Sequence, residues 1–225
     1  MDIYLTALKM AYSGLEVTLK ITFGAVVIGV VLGLIVALCK MSRFKALRYP
    51  LSVYVELLRG TPLIVQALIL YAGVPSMLQA YGIDFNWSDR EILAAIIACG
   101  VNSSAYVAEI IRSGLQSVDI GQREAARSLG MNGVQAMIFV VIPQGFRIVL
   151  PALANEFIAL LKETAVLSVI AIVEVTRSSM LWASTTYQYW PAYLGTAVVY
   201  LSITIPLSRI VAYMERRMAQ SDRGK

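Results

Sequence analysis

The placement of charge constrains this chain more than any other feature. No Asp, Glu, Lys or Arg occurs in residues 21–39, 60–83, 92–108 or 178–208. A membrane-spanning helix needs roughly 17–25 predominantly apolar residues, and each run supplies about that length, the last with a polar loop included. With 58% of its 225 residues hydrophobic and 15% charged, the chain holds more apolar surface than a soluble domain could bury. The sequence therefore specifies an integral membrane protein of the all-α class.

The chain has no histidine, which removes the Ser/His/Asp triad and the common His-containing zinc sites. Cys39 and Cys99 lie in apolar runs and read as small buried hydrophobes, so neither a disulfide nor a metal site is expected. A net charge of +5 would raise the question of nucleic acid in a soluble protein. Here the basic residues mark one side of the membrane instead, because cytoplasmic loops are enriched in Lys and Arg.

Five crossings follow, over about 12–38, 51–74, 91–115, 151–175 and 192–213, within a single transmembrane domain covering 1–225. Lys40, Arg43, Lys45 and Arg48 follow the first crossing at once, which places the N-terminus outside and, after five crossings, the C-terminus inside. Of the 19 basic residues, Lys9, Arg90 and Arg177 fall outside, Lys20, Arg59 and Lys162 fall within spans, and the rest fall inside or, as Arg112 and Arg209 do, in the cytoplasmic end of a span. A cleaved signal is not expected, since a long segment carrying Glu16 precedes the first apolar run and no small-residue cleavage pattern follows it. Arg59, Gly60, Thr61 and Pro62 predict a kink or break in the second crossing, and an external loop is expected over roughly 75–90. No internal repeat stands out.

Residues 128–146 are also uncharged, yet Asn132, Gln135, Gln144, three glycines and Pro143 argue for a cytoplasmic loop packed on protein. That loop extends over about 117–147. Within it, residues 124–129 are strong helix formers, and Gly130 stands where a helix would be capped by a left-handed turn. A compact helical knob at the cytoplasmic face results, which taken alone could be an ordinary interfacial helix.

Glu124, Ala125 and Ala126, followed after three residues by Gly130 and after nine more by Val140-Val141-Ile142-Pro143, resemble the EAA loop of ABC importer permeases. Val140 and Ile142 stand where the pattern has Ile and Leu. Arg59-Gly60-Thr61-Pro62-Leu63, Ala105-Tyr106-Val107-Ala108-Glu109 and Asn155-Glu156-Phe157-Ile158 resemble the polar amino acid uptake subfamily. The resemblance implies a permease subunit that translocates polar amino acids by alternating access, and the acidic Glu156 beside the expected site suits a basic or polar one. It also implies that the knob, through Glu124, Ala125, Ala126, Arg127 and Gly130, couples to a separate ATPase. The implied partners are a second permease subunit, identical or not, two ATP-binding subunits that use ATP and Mg, and an extracytoplasmic amino acid binding protein, all at a bacterial inner membrane. No catalytic residue is expected in the chain itself, which carries no Gly-x-x-x-x-Gly-Lys-Ser/Thr phosphate loop.

Polar groups inside spans form the remaining signal, because a charge at mid-bilayer costs at least about 2.5–3.5 kcal/mol. Asn102, Tyr106, Glu109, Ser113 and Gln116 share one stripe of the third crossing, with Ser103 beside it. The stripe is either a helix-packing interface or a substrate-lining face. On the fourth crossing Asn155 shares a face with Lys162, whereas Glu156 and Lys162 are about 120° apart on a helix of 3.6 residues per turn. Glu156 and Lys162 supply an anion and a cation for a zwitterion, or else a structural ion pair. Arg59 is expected near the cytoplasmic side of its helix, with Thr61, Pro62 and Pro143 in structural or gating roles. A rival class, the ion-coupled secondary transporter, would use Glu109, Glu156 and Lys162 as a relay.

Overall fold

The structure, a computed structural model, describes residues 2–87 and 90–223, with side chains through Met218. Its elements are α1 (Asp2–Ser13), α2 (Leu15–Lys40), α3 (Lys45–Gly60), α4 (Leu63–Leu68), a π-helical turn (Ile69–Gly73), α5 (Val74–Ala80) and α6 (Glu91–Gln116). These are followed by α7 (Ile120–Ser128), α8 (Gly133–Ala136), a second π-helical turn (Met137–Val141), α9 (Ile142–Glu163), a 3₁₀ turn (Thr164–Ile170), α10 (Val175–Thr186) and α11 (Tyr189–Arg223). No strand occurs among the described residues. Five helical runs are long and apolar enough to cross a membrane: Asp2–Lys40, Leu63–Ala80, Glu91–Gln116, Gly133–Ile170 and Tyr189–Met218. In hydrocarbon, helices satisfy every backbone group internally, which is why apolar runs of this length become helices.

The bundle is built on α2 and α6, which run parallel: Gly24 faces Ile96, Gly29 faces Gly100 and Ser103, and Gly33 faces Val107. A Cβ on Gly33 would stand 2.6 Å from Val107 Cγ1 and 2.9 Å from the Ser104 carbonyl oxygen. Small residues one turn apart let the two backbones touch, and dispersion then replaces the hydrophobic drive that lipid does not supply. Around this seam Ile21, Ala25, Cys99, Leu160 and Leu167 form one buried cluster, and Val36, Ala105, Val107, Ile111 and Val149 form another. Cys99 is fully buried as the small apolar residue its context predicts.

The second crossing differs from one helix over about 51–74. Thr61 and Pro62 are extended, so α3 stops at Gly60 and the apolar run restarts at Leu63; proline disfavours the helical conformation in the residue before it. Gln66 closes the break, donating from Nε2 to the Leu58 carbonyl (2.8 Å), the Thr61 carbonyl (3.1 Å) and Thr61 Oγ1 (2.8 Å). Carbonyls freed inside a membrane need such a partner. The external loop expected over 75–90 begins later than expected, because Val74–Ala80 is helical. Trp87 Nε1 donates to the Leu70 carbonyl, 3.0 Å away; residues 88 and 89 lie outside the described residues.

Two other segments expected as loops are helical. Residues 133–141 run directly into α9, so the loop over 117–147 narrows to α7 and its flanks, and the helix leading into the fourth crossing begins well before 151. Asn132 and Gln135, polar residues that argued for a loop, form a capping box instead: Asn132 Oδ1 accepts from the Val134 and Gln135 amides, and Gln135 Oε1 accepts from the Asn132 amide. The polar loop expected in the last uncharged run, ahead of the fifth crossing, contains most of α10. Fully buried Glu174 caps it, accepting from the Arg177 amide (2.7 Å), the Thr176 amide (2.8 Å) and Tyr200 Oη (3.0 Å). Burial pushes the Glu174 carboxyl above its ordinary value, against the pull of these donors. The Glu174–Val175 backbone leaves no room for a side chain at Gly14, so the α1–α2 junction, α10 and α11 form one tied corner.

Candidate functional site

The bundle has two ends. One, here the basic end, holds Lys40, the start of α3, α7 and the close of α11; the other holds α5 and α10.

At the basic end α7 stands apart. Asp119 Oδ1 accepts from the Gly121 amide at 2.7 Å and caps its start. At its close Gly130 has φ +87°, its amide donates to the Arg127 carbonyl, and the Met131 amide donates to the Ala126 carbonyl. This pair of bonds is a Schellman cap, whose left-handed residue favours glycine. The expected left-handed turn at Gly130 is thus formed, on a helix that begins at Ile120. Ala126 is buried against the bundle, while Glu124, Ala125 and Arg127 are exposed. So are the apolar Ile120 (71%) and Leu129 (82%). One hydrogen bond, Gln144 Nε2 to Gln122 Oε1 at 3.3 Å, ties α7 to the first turn of α9, beside Pro143 at that helix's start.

The stripe on α6 divides among three neighbours. Buried Asn102 donates to Gln66 Oε1 at 3.0 Å, with a longer 3.5 Å contact to the Leu58 carbonyl, so its amide is committed to the broken crossing. Arg59 lies over the Tyr106 ring, 5.5 Å from its centroid. Arg59 is the penultimate residue of α3 and stands where that helix reaches mid-height of α6, not near the basic end as expected, because the break falls directly after it. Glu109, near the basic end of α6, accepts from Lys40 Nζ (3.3 Å) and from Arg112 Nε (2.8 and 2.9 Å). Lys40 and Glu109 retain only 12% and 19% of their side-chain exposure. Ser113 bonds back to its own helix, and Gln116 receives Arg112.

On α9, Glu156 is half-buried and accepts from Ser103 Oγ at 2.9 Å. Lys162 is exposed, and no ion pair joins it to Glu156. Their separation around the helix explains this: Glu156 turns to α6 and Lys162 to the open side. Asn155 faces away from Ser103 and donates to Glu215 Oε1 of α11 at 3.1 Å. The mid-height of the bundle therefore brings together Glu156, Ser103, Asn102, Gln66 and the Thr61–Pro62 break. Lys162 and Asn155 share a different, exposed surface.

Sequence reasoning missed Gln66, Lys40, Arg112, Asp119 and Glu215. Asp119, directly before the first helical residue, was readable as an N-cap. Gln66, an uncharged polar residue in an apolar run next to a proline break, carried a weaker signal. The partners of Glu109 and Asn155 come from other helices and leave no local trace.

Spanning helices with a broken crossing at mid-height, buried polar links there and one exposed, doubly capped helix at the basic end define a membrane permease subunit. The chain belongs to the family described as binding-protein-dependent transport system inner membrane component, whose model matches residues 29–220. It is 37% identical over 209 residues to the arginine transport system permease protein ArtQ of Bacillus subtilis, covering 93% of this chain and 92% of that one. It is 38% identical over 192 residues to the probable glutamine ABC transporter permease protein GlnM of Bacillus subtilis, covering 85% of each. A crystal structure of an amino acid ABC transporter with histidines superposes with a TM-score of 0.85 at 46% identity, covering 95% of this chain and 96% of that one. The ABC permease reading fits these relatives better than an ion-coupled transporter does.

Proposed function

We propose that this chain is the membrane subunit of a bacterial importer for polar and basic amino acids, lying in the inner membrane with its basic end cytoplasmic and its N-terminus outside. It pairs with a second permease subunit and receives the amino acid from an extracytoplasmic binding protein. Two partner subunits bind ATP and Mg and hydrolyse the nucleotide. The observation that carries this reading is α7: a solvent-exposed helix capped at both ends, matching the EAA pattern, with apolar Ile120 and Leu129 in water. Exposed apolar groups of this kind mark a partner surface. The partner's closure moves α7, and α9 follows through the Gln122–Gln144 link and the continuous helix that starts at Gly133. The spanning helices then alternate between outward and inward access.

Glu156, bonded to Ser103, and Lys162, on the adjoining exposed face of α9, are proposed as ligands of the passing amino acid, Lys162 for its carboxylate and Glu156 for a cationic group. The absence of a Glu156–Lys162 pair supports this reading, since each charge keeps hydrogen-bonding capacity for a ligand. The names of the relatives, arginine and glutamine permeases, support the substrate class. The rival relay is disfavoured because Glu109 already accepts from two cations.

Uptake into vesicles loaded with ATP, with the binding protein saturating, tests the ligand role. Lys162→Met with Glu156→Leu should abolish transport while the complex still assembles, and Glu156→Gln alone should weaken arginine uptake more than glutamine uptake. Undiminished transport by the double variant refutes the assignment.

A further inference from the structure

The foot of α3 projects past the bundle at the basic end. Leu51, Tyr54, Val55 and Leu58 pack into the inner buried cluster, whereas every residue from Phe44 to Pro50 is exposed. The first spanning run ends at Lys40, so the foot leaves from the level at which that helix meets the headgroups. Arg43, Lys45 and Arg48 stand on it, and none of their side chains makes a hydrogen bond or an ion pair with the described residues. No Asp or Glu occurs in residues 17–55. Glu109 of the neighbouring α6 is already engaged by Lys40 and Arg112, and Glu56 lies about 12 Å farther along α3 than Arg48.

Three cations without a counter-charge thus stand among Phe44 (64% exposed), Leu47 (49%) and Tyr49 (75%). Water suits the cations and not the apolar groups, and hydrocarbon suits the reverse. The headgroup layer suits both, since basic side chains reach its phosphates while aromatic and aliphatic groups lie at the acyl boundary. Pro50 has no N–H for the Ala46 carbonyl, so the foot joins the rest of α3 with one bond fewer and can follow that layer.

We propose that the foot of α3 is a binding site for anionic phospholipid. Arg43, Lys45 and Arg48 hold the phosphodiester of the leaflet at the basic end, and Phe44, Leu47 and Tyr49 lie beside the upper acyl segments. A soluble phosphate would satisfy the cations and leave the apolar groups in water. Held there, the foot gives the inner half of the broken crossing a fixed end, on one side of the Thr61–Pro62 break. The inference asks only that the chain span a bilayer and depends on neither the substrate nor the ATPase.

Tryptophan quenching tests it. The complete assembly is reconstituted in vesicles of equal parts phosphatidylcholine and phosphatidylglycerol, with bromine on the acyl chains of one lipid or the other, and the quenching added by Tyr49→Trp over the unaltered chain is recorded. Brominated phosphatidylglycerol should be favoured at this position about tenfold or more. Each replacement among Arg43→Gln, Lys45→Gln and Arg48→Gln should lower the ratio by up to about fivefold until it reaches one, and Arg43→Lys with Arg48→Lys should keep it. Raised salt should lower the ratio in the intact cluster as well, which decides the matter if the Gln variants fail to accumulate. Equal quenching by the two lipids, a ratio indifferent to the basic residues and to salt, or loss of the preference on adding soluble glycerol phosphate overturns the proposal. So does the absence of added quenching by either lipid, which would show the foot covered by protein.

Discussion

The α2–α6 seam and the α7 knob are built on opposite principles. The seam replaces side chains with glycine so that two backbones meet, and Gly29, Gly33, Ser103 and Ser104 are all buried. The knob keeps almost every side chain in water and draws its order from its own ends, Asp119 and Gly130. A seam held by interlocking surfaces does not yield by degrees, because close-packed cores are not continuously deformable. A helix held by two caps, one buried alanine and one side-chain bond can move as a unit. The contrast separates scaffold from actuator.

Changes at the seam should have the largest effect. Gly33→Leu drives a side chain into Val107 and the Ser104 carbonyl, and since overpacking commonly costs about 1–3 kcal/mol even where neighbours yield, the variant should fail to accumulate as folded protein. Its detergent-solubilised melting temperature and membrane yield check this; a normal yield would show that α2 and α6 can part, which denies the scaffold role. Glu109→Leu should come next. It strands Lys40 and Arg112 together in a part-buried site, and leaving such donors without their acceptor costs about 1–3 kcal/mol. Lys40→Met leaves Glu109 with Arg112 and should cost about 1 kcal/mol or less. Equal melting points for the two variants would show that the cluster does not hold α2 to α6.

At the knob the effects should be smaller in stability and larger in transport. Gly130→Leu forces a side chain into a left-handed position at about 1–2 kcal/mol, a roughly 5–30-fold shift between arrangements. The protein should insert normally and lose substrate-stimulated ATPase activity in the reconstituted complex. Normal stimulation would sink the coupling assignment. Asp119→Ala removes an N-cap worth about 1 kcal/mol and should reduce uptake only a few-fold, with no change in yield. Orientation is checked by single cysteines at Lys45 and Asp84 in a Cys-free background: an impermeant reagent on intact cells should label position 84 and spare position 45.

The same contrast explains what the sequence made legible. Four of the five crossings were readable because charge exclusion is a local property of a 20-residue window; the fourth, which carries Glu156, Lys162 and Glu163, lies outside the charge-free runs. The break at Thr61–Pro62 and the turn at Gly130 were readable because proline and glycine act through their own backbone geometry. Gln66 across the break, the ties of Glu109 to Lys40 and of Asn155 to Glu215, and the parallel α2–α6 seam depend on which helices become neighbours, and no window reports that. Residues 133–141 were misjudged for a related reason. Asn132 and Gln135 look like loop polarity until their reciprocal bonds turn them into a helix start. Helix α10 was hidden because its cap is a glutamate, outside the usual Ser, Thr, Asp and Asn set, and one held by a tyrosine from α11.

The central claim is that this chain is driven from outside itself, through α7. The most direct measurement is affinity purification of the tagged chain from its native membranes, with the ATPase activity of the eluate recorded, for the unaltered protein and for Glu124→Arg with Ala125→Arg. The account predicts that the unaltered chain brings down a nucleotide-binding protein and hydrolyses ATP, and that the altered chain reaches the membrane in equal amount but purifies without either. A nucleotide-binding partner retained in full by the α7 variant, or missing from the unaltered chain, would contradict it.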